Sequence, residues 1–175
     1  MCKLSIEYVY RGRRVNVKVV ELRLPNGNIV EREVVEFRES VVVLPILSDD
    51  RIVLIKQYRV PIERWIYELP AGVIEHGETP EESAKRELIE ETGYKAKELK
   101  KLFEMYLAPG YSTEKMHAFL AYDLEYVGSA PEVYEVIKVQ PVKLKEALNM
   151  IKRGEIPDAK SIATILYYKM FIESK

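Results

Sequence analysis

Cysteine is nearly missing from this sequence: Cys2 is the only one among 175 residues, so an intrachain disulfide is excluded. No apolar run approaches the roughly 18 residues that span a bilayer, and no membrane association is expected. The first residues carry no apolar signal-peptide core, which makes a cytoplasmic location the expectation. An excess of either charge is absent as well, with 27 Lys plus Arg against 28 Asp plus Glu. General nucleic-acid or membrane-surface binding is therefore not expected, and an anionic ligand has to be met by a local cluster of cations or by metal. The two histidines, His76 and His117, lack spaced partners, so zinc is not expected. His76 reads as a solvated loop residue and His117 as a structural histidine in an apolar strand. Repeats and low-complexity linkers are lacking too. What remains is 47% apolar and 31% charged, a balance that suits one domain with its own core.

Alternation and β-branched residues predict strands over Leu4–Tyr10, Val15–Leu24 and Ile29–Phe37. Pro25-Asn26-Gly27-Asn28 is the turn between the last two, since Asn-Gly readily supplies the positive φ of a tight hairpin. The apolar runs Ser40–Leu47 and Arg51–Tyr58 read as strands buried on both faces. Lys100–Ala108 and Lys115–Tyr126 flank the loop Pro109-Gly110-Tyr111-Ser112-Thr113, and Val133–Val142 follows the turn Gly128-Ser129-Ala130-Pro131. Two helices close the chain, Leu144–Arg153 and Asp158–Glu173, with Gly154 as the stop between them. Mixed strands with few helices argue for an α+β or α/β/α layered domain. Residues 1–40 read as an N-terminal β segment and residues 41–175 as the main domain.

Thr79-Pro80-Glu81-Glu82 is a helix start, with Thr79 as cap, Pro80 at the first helical position and Glu82 completing a capping box. The helix runs to Thr92, and Gly93 ends it. At about 100° per residue, Ser83, Glu87, Glu90 and Glu91 share roughly a third of the circumference. Ala84, Leu88 and Ile89 lie on other faces. Arg86 is four residues from both Glu82 and Glu90, so it can bridge the acidic ridge. Three carboxylates this close repel one another. A divalent cation gives them a reason, because Mg²⁺ or Mn²⁺ takes hard oxygen ligands and shares them with substrate phosphates. The competing reading is a solvated acidic face laced by salt bridges.

The surrounding pattern decides between the two: Gly72, five residues, Glu78, seven residues, Arg86-Glu87-Leu88, any residue, Glu90-Glu91, any residue, Gly93. It resembles the Nudix box at every fixed position. Tyr94 alone departs, standing where a small aliphatic residue is usual, which bears on packing beneath the helix. The resemblance implies an α+β fold: a mixed β-sheet between helices, with the first 40 residues as an antiparallel β extension. It also implies hydrolysis of a nucleoside diphosphate linked to another group. Glu87 and Glu91 become the principal metal ligands, with Glu90 close by, and in the sugar-nucleotide branch the Ala71 carbonyl adds another. Glu78 and Arg86 look structural, Gly72 serves backbone geometry, and Gly93 closes the motif.

Three further segments resemble the ADP-ribose pyrophosphatase branch. They are Gln57-Tyr58-Arg59 ahead of Glu68-Leu69-Pro70-Ala71-Gly72, the loop Ala108–Glu114, whose Pro109 lies 16 residues past Gly93, and Gly154-Glu155-Ile156-Pro157-Asp158. The branch implies Mg²⁺-dependent cleavage of ADP-ribose to AMP and ribose 5-phosphate, by attack of a metal-activated water; Mn²⁺ is the alternative ion. Arg59 offers a fork for phosphate oxygens, set against an ordinary strand-end arginine. Glu114, beside Pro109 and Gly110, is a candidate acceptor for ribose hydroxyls. Tyr8, Tyr10 and Trp65 are candidate faces for adenine, each also readable as core or interface filling. Some relatives draw a general base from the loop before the last strand, which makes Glu132 and Glu135 candidates; others use the box glutamates. Members of the branch form homodimers whose N-terminal strands cross to the partner, a role that suits residues 1–40. Two other functions compete. Cleanup of damaged nucleoside triphosphates needs no Pro109-type marker, and a non-catalytic nucleotide-sugar sensor commonly loses box glutamates, all intact here.

Overall fold

The computed structural model describes residues 2–130 and 136–173. Two compact units emerge, one of Met1–Glu39 with Met105–Met116 and one of Ser40–Glu104 with His117–Lys175.

In the first unit, β1 (Cys2–Arg11), β2 (Asn16–Arg23) and β3 (Ile29–Glu36) form an antiparallel sheet in that order. The β2–β3 hairpin keeps one register from Asn16 opposite Glu36 to Arg23 opposite Ile29. Its turn is the one that Asn26-Gly27 predicts: Gly27 has φ 89°, and the Asn26 side chain accepts from the Asn28 N–H at 3.1 Å. Against β2, the β1 register shifts twice, between Lys3 and Ser5 and between Tyr8 and Tyr10. Leu4, Ile6, Tyr8, Val9 and Tyr10 of this sheet-edge strand are exposed. The segment after Met105, which the sequence reading assigned to the main domain, also belongs to this unit. Its loop is tied to β3: the Val35 N–H donates to the Tyr111 carbonyl at 2.8 Å, and the Thr113 N–H to Val35 at 3.0 Å. The Thr113 hydroxyl donates to the Phe37 carbonyl at 3.1 Å and accepts from its N–H at 2.9 Å.

The second unit starts with β4 (Ser40–Pro45) and β5 (Arg51–Arg59), then β6 (Arg64–Glu68) and β7 (Ala71–Val73). The helix α1 (Pro80–Thr92), the strands β8 (Tyr94–Tyr106), β9 (Lys115–Tyr126) and β10 (Ile137–Lys143), and the helices α2 (Leu144–Lys152) and α3 (Ala159–Phe171) follow. One sheet runs β7-β4-β9-β8 and the other β10-β5-β6. The architecture is the mixed α+β class expected. β4 is buried throughout, as its uninterrupted apolar run demands, and both α1 and α3 pack on it. Ala84 and Leu88 of α1 close a core over Val41, Val43, Ala96, Phe119 and Ala121. Each large apolar side chain sealed there contributes about 1.5–3 kcal/mol.

Three departures from the sequence reading have physical reasons. β6 and β7 were not anticipated, because five and three residues are too few to display a period. β8 starts at Tyr94 rather than Lys100, since its inward positions there include Ala96, whose small side chain hides the alternation among Lys95, Lys97 and Glu98. The strand expected from Val133 is described from Ile137, its first residues lying outside the described ones.

Candidate active site

The α1 helix begins and ends as its residues dictate. The Thr79 hydroxyl accepts from the Glu82 N–H while the Glu82 carboxylate accepts from the Thr79 N–H at 2.8 Å, and Gly93 closes the last turn at φ 76°. Tyr94, the residue that departs from the box, packs edge-on against Tyr126 at 5.4 Å and onto the core beneath the helix.

Framed this way, α1 turns its carboxylates toward β7. Glu91 is only 2% exposed, and its Oε2 accepts from the Ala71 N–H at 2.9 Å. The Glu87 carboxylate lies on Gly72, where a Cβ would come within 1.9 Å of Cδ and Oε1. Gly72 does not take a left-handed φ; close approach, more than backbone freedom, is what requires a glycine. A buried acid is not part of a solvated face, so that reading of the helix fails for Glu91, and Glu87 is half-buried against Gly72. Glu90 is the most open of the three.

Arg86 holds the ridge together. Its Nε and Nη2 donate to the two Glu78 oxygens at 2.7 and 2.9 Å, and its Nη1 donates to Glu87 at 2.8 Å and to Glu90 at 3.0 Å. A further bond runs from Nη2 to the Val73 carbonyl at 3.2 Å. The Arg86 guanidinium beside Glu78 lowers its carboxyl to about 2 from an ordinary 4.5, and Glu78 in turn leads the carboxylates that hold Arg86 above its usual range. One guanidinium faces three carboxylates and Glu91 adds a fourth, so the ridge stays negative.

Among the described residues, no three acidic, histidine or cysteine side chains converge closely enough to cage a metal alone. The donors nevertheless suit a hard cation: one buried carboxylate, Glu91, and one half-buried, Glu87, beside a backbone carbonyl at Ala71. Mg²⁺ is ordinarily bound through one or two carboxylates plus water and substrate phosphates, and does not demand an all-protein cage.

Arg59, at the end of β5, is aimed by Glu68 of β6: Nε donates to Oε1 and Nη2 to Oε2, both at 2.8 Å. Burial works to lower the Arg59 pKa, but Glu68, Glu91 and Asp158 outweigh it and the net direction is upward. Arg59 and Arg64 are directly opposite in the β5–β6 register. Both line a cleft of about 420 Å³ with Pro61, Ile62, Ile66 and Pro157. Like charges paired this way destabilise a sheet, and here the Glu68 carboxylate offsets the charge of Arg59. Gln57 lies on the same face of β5, and its buried Oε1 has no hydrogen-bond partner among the described residues.

Pro109, Gly110 and Glu114 belong to the first unit, where the Glu114 N–H donates to Ser112 Oγ at 3.1 Å. Tyr8 and Tyr10 are on β1 in that unit, with the Arg11 guanidinium 3.7 Å from the Tyr8 ring centre. Trp65 alternates onto the face of β6 opposite Glu68 and packs edge-on against Tyr58 at 5.8 Å. Glu132 and Glu135 lie outside the described residues. His76 is exposed; His117 is buried, with Nδ1 3.2 Å from Glu104. Sequence reasoning gave no role to Glu68, Arg64, Asp158 or Lys160. One signal was readable: Lys160 is the second residue of α3, where the helix dipole disfavours a cation.

The NUDIX domain family matches residues 36–165. The chain belongs to the Nudix family. It is 39% identical to an ADP-ribose pyrophosphatase of Bacillus subtilis over 95% of this chain and 91% of that protein. It is 35% identical to a methanol dehydrogenase activator of Bacillus methanolicus, again over 95% and 91%. Among solved structures it superposes on an ADP compounds hydrolase with a TM-score of 0.85 and 28% identity, covering 99% of this chain and 94% of that one. Its kinship is with the ADP-ribose pyrophosphatase branch, and it is a Nudix pyrophosphohydrolase. Nudix hydrolases generally use divalent metal ions. Among the described residues, no helix is long and apolar enough to cross a membrane.

Proposed function

We propose that this Nudix enzyme hydrolyses the pyrophosphate bond of ADP-ribose or a related nucleoside diphosphate sugar, releasing AMP and a sugar phosphate. The observation that carries the reading is the pair of carboxylates, buried Glu91 and half-buried Glu87, turned onto Ala71-Gly72. Similarity to the Bacillus subtilis pyrophosphatase along nearly the whole chain supports the choice of substrate.

Glu87, Glu91 and the Ala71 carbonyl would hold Mg²⁺, or Mn²⁺, with Glu90 at hand; such an ion polarises phosphate oxygens and lowers the pKa of a bound water. Arg86 screens the repulsion among these acids and keeps their carboxylates in place. Arg59 has spent Nε and one Nη2 hydrogen on Glu68, which leaves both Nη1 hydrogens to grip a phosphate oxygen. A fixed guanidinium there grips and orients the diphosphate. The branch resemblance supports Glu114, with Pro109 and Gly110, as substrate contacts, and Glu132 or Glu135 as general base. The exposed apolar residues of edge strand β1 support a homodimer.

Incubation with ADP-ribose, ADP-glucose, GDP-mannose, diadenosine polyphosphates and oxidised nucleoside triphosphates, each with Mg²⁺, tests the proposal. AMP release from ADP-ribose at the highest kcat/KM is the expected result. Preference for the triphosphates, or cleavage of none, would overturn it.

A further inference from the structure

We propose that Glu68, backed by Lys160, is the positioning residue that presents Arg59 to the diphosphate, so that the substrate grip is set from the first turn of α3. This rests on the reading that Arg59 meets the substrate.

Glu68 is fully buried at the end of β6, yet it accepts three charge-assisted bonds. Two come from the Arg59 fork, and the third from Lys160 Nζ to Oε2 at 2.8 Å. Lys160 is itself nearly buried and donates to Asp158 Oδ1 at 2.7 Å. Asp158 caps α3, its Oδ2 accepting from the Ser161 N–H at 2.9 Å and from Ser161 Oγ at 2.5 Å. Ser161 Oγ then accepts from the Leu69 N–H at 2.8 Å. Adjacent residues of the chain, Glu68 and Leu69, are thus pinned to the same helical turn, one by its side chain and the other by its backbone.

A stability role alone accounts poorly for this arrangement. A buried ion pair is commonly no better for stability than an apolar pair of the same volume. Lys160 also sits where the dipole of α3 opposes it, so Glu68 and Asp158 are its reason for being there. The fork-to-fork geometry does something packing cannot: it fixes the plane of a long, rotamer-rich guanidinium while leaving its Nη1 edge unspent. That edge belongs to a residue lining the cleft beside Arg64, which faces it across the β5–β6 pair.

The test is steady-state kinetics on ADP-ribose with Mg²⁺ for Glu68→Gln, Lys160→Met, Lys160→Arg, Arg59→Ala and the Glu68→Gln/Arg59→Ala double variant. Glu68→Gln and Arg59→Ala should each raise KM by about tenfold or more, with kcat changing far less, since a grip held throughout the reaction is lost. In the Arg59→Ala background, Glu68→Gln should add less than about twofold, because both act through one guanidinium. Lys160→Met should raise KM and Lys160→Arg should restore it; these two decide the matter should Glu68→Gln fail to fold. In ¹H–¹⁵N spectra the Arg59 Nε–H should be protected in the wild type and lose protection in Lys160→Met. Unchanged KM in the variants of an active enzyme, or losses that multiply in the double variant, would overturn the positioning role alone. A wild type that cleaves no diphosphate would remove the function reading and this inference together.

Discussion

One methyl group at Gly72 should disable the site and spare the fold. In Gly72→Ala the new Cβ would stand 1.9 Å from Glu87 Cδ and Oε1 and 2.4 Å from Oε2. Ordinary carbon contact is about 3.5 Å, so the carboxylate must withdraw by about 1.6 Å. The backbone itself accepts alanine, since Gly72 is not left-handed. What yields is the far end of a flexible side chain, and alanine also restricts the unfolded chain, a gain of about 0.4–1 kcal/mol. Stability should therefore move by no more than about 1 kcal/mol in either direction. The displaced Glu87 forfeits its 2.8 Å bond from Arg86 and its place beside Glu91. A displacement of this size at a reacting centre costs about 100-fold or more in kcat/KM. Urea denaturation and ADP-ribose turnover, run side by side on both proteins, measure the two effects. Full turnover in a folded Gly72→Ala protein would refute the placement of Glu87 at the site.

Three further outcomes follow from the same geometry. Glu91→Gln should lower kcat by about 100-fold while staying folded, since glutamine can still accept from the Ala71 N–H; urea melts and kinetics check both. Glu78→Gln removes half of a bidentate pair to Arg86 and should cost about 1–2 kcal/mol at pH 7. Because the folded pKa of Glu78 lies below its unfolded value, that contribution is complete above pH 4.5 and is lost as pH falls through about 2. Urea melts of both proteins across that range should therefore converge in acid. Light scattering behind gel filtration should give twice the subunit mass, and Ile6→Lys on exposed β1 should shift it toward one subunit.

Features written in short stretches of chain were legible in the sequence. α1 announced itself through Thr79, Pro80, Glu82 and Gly93, which act within one turn of the helix ends, and the β2–β3 turn through Asn26-Gly27. The strands β6 and β7 carry too few residues for a pattern, and the docking of Thr113 on Phe37 joins residues 76 apart. The site divided along the same line. Motif and spacing proposed Glu87, Glu90 and Glu91, but Gly72 was read as a backbone device, whereas a Cβ there would meet the Glu87 carboxylate. Glu68 and Lys160 are 92 residues apart, and nothing local marks them as partners beyond a cation misplaced on a helix dipole.

Crystals soaked with Mn²⁺ and a methylene-bridged ADP-ribose analogue test the central claim most directly. The anomalous map should place manganese between the Glu87 and Glu91 carboxylates and a diphosphate oxygen, with Arg59 on the same diphosphate. A bound analogue with no metal at those two glutamates would contradict it.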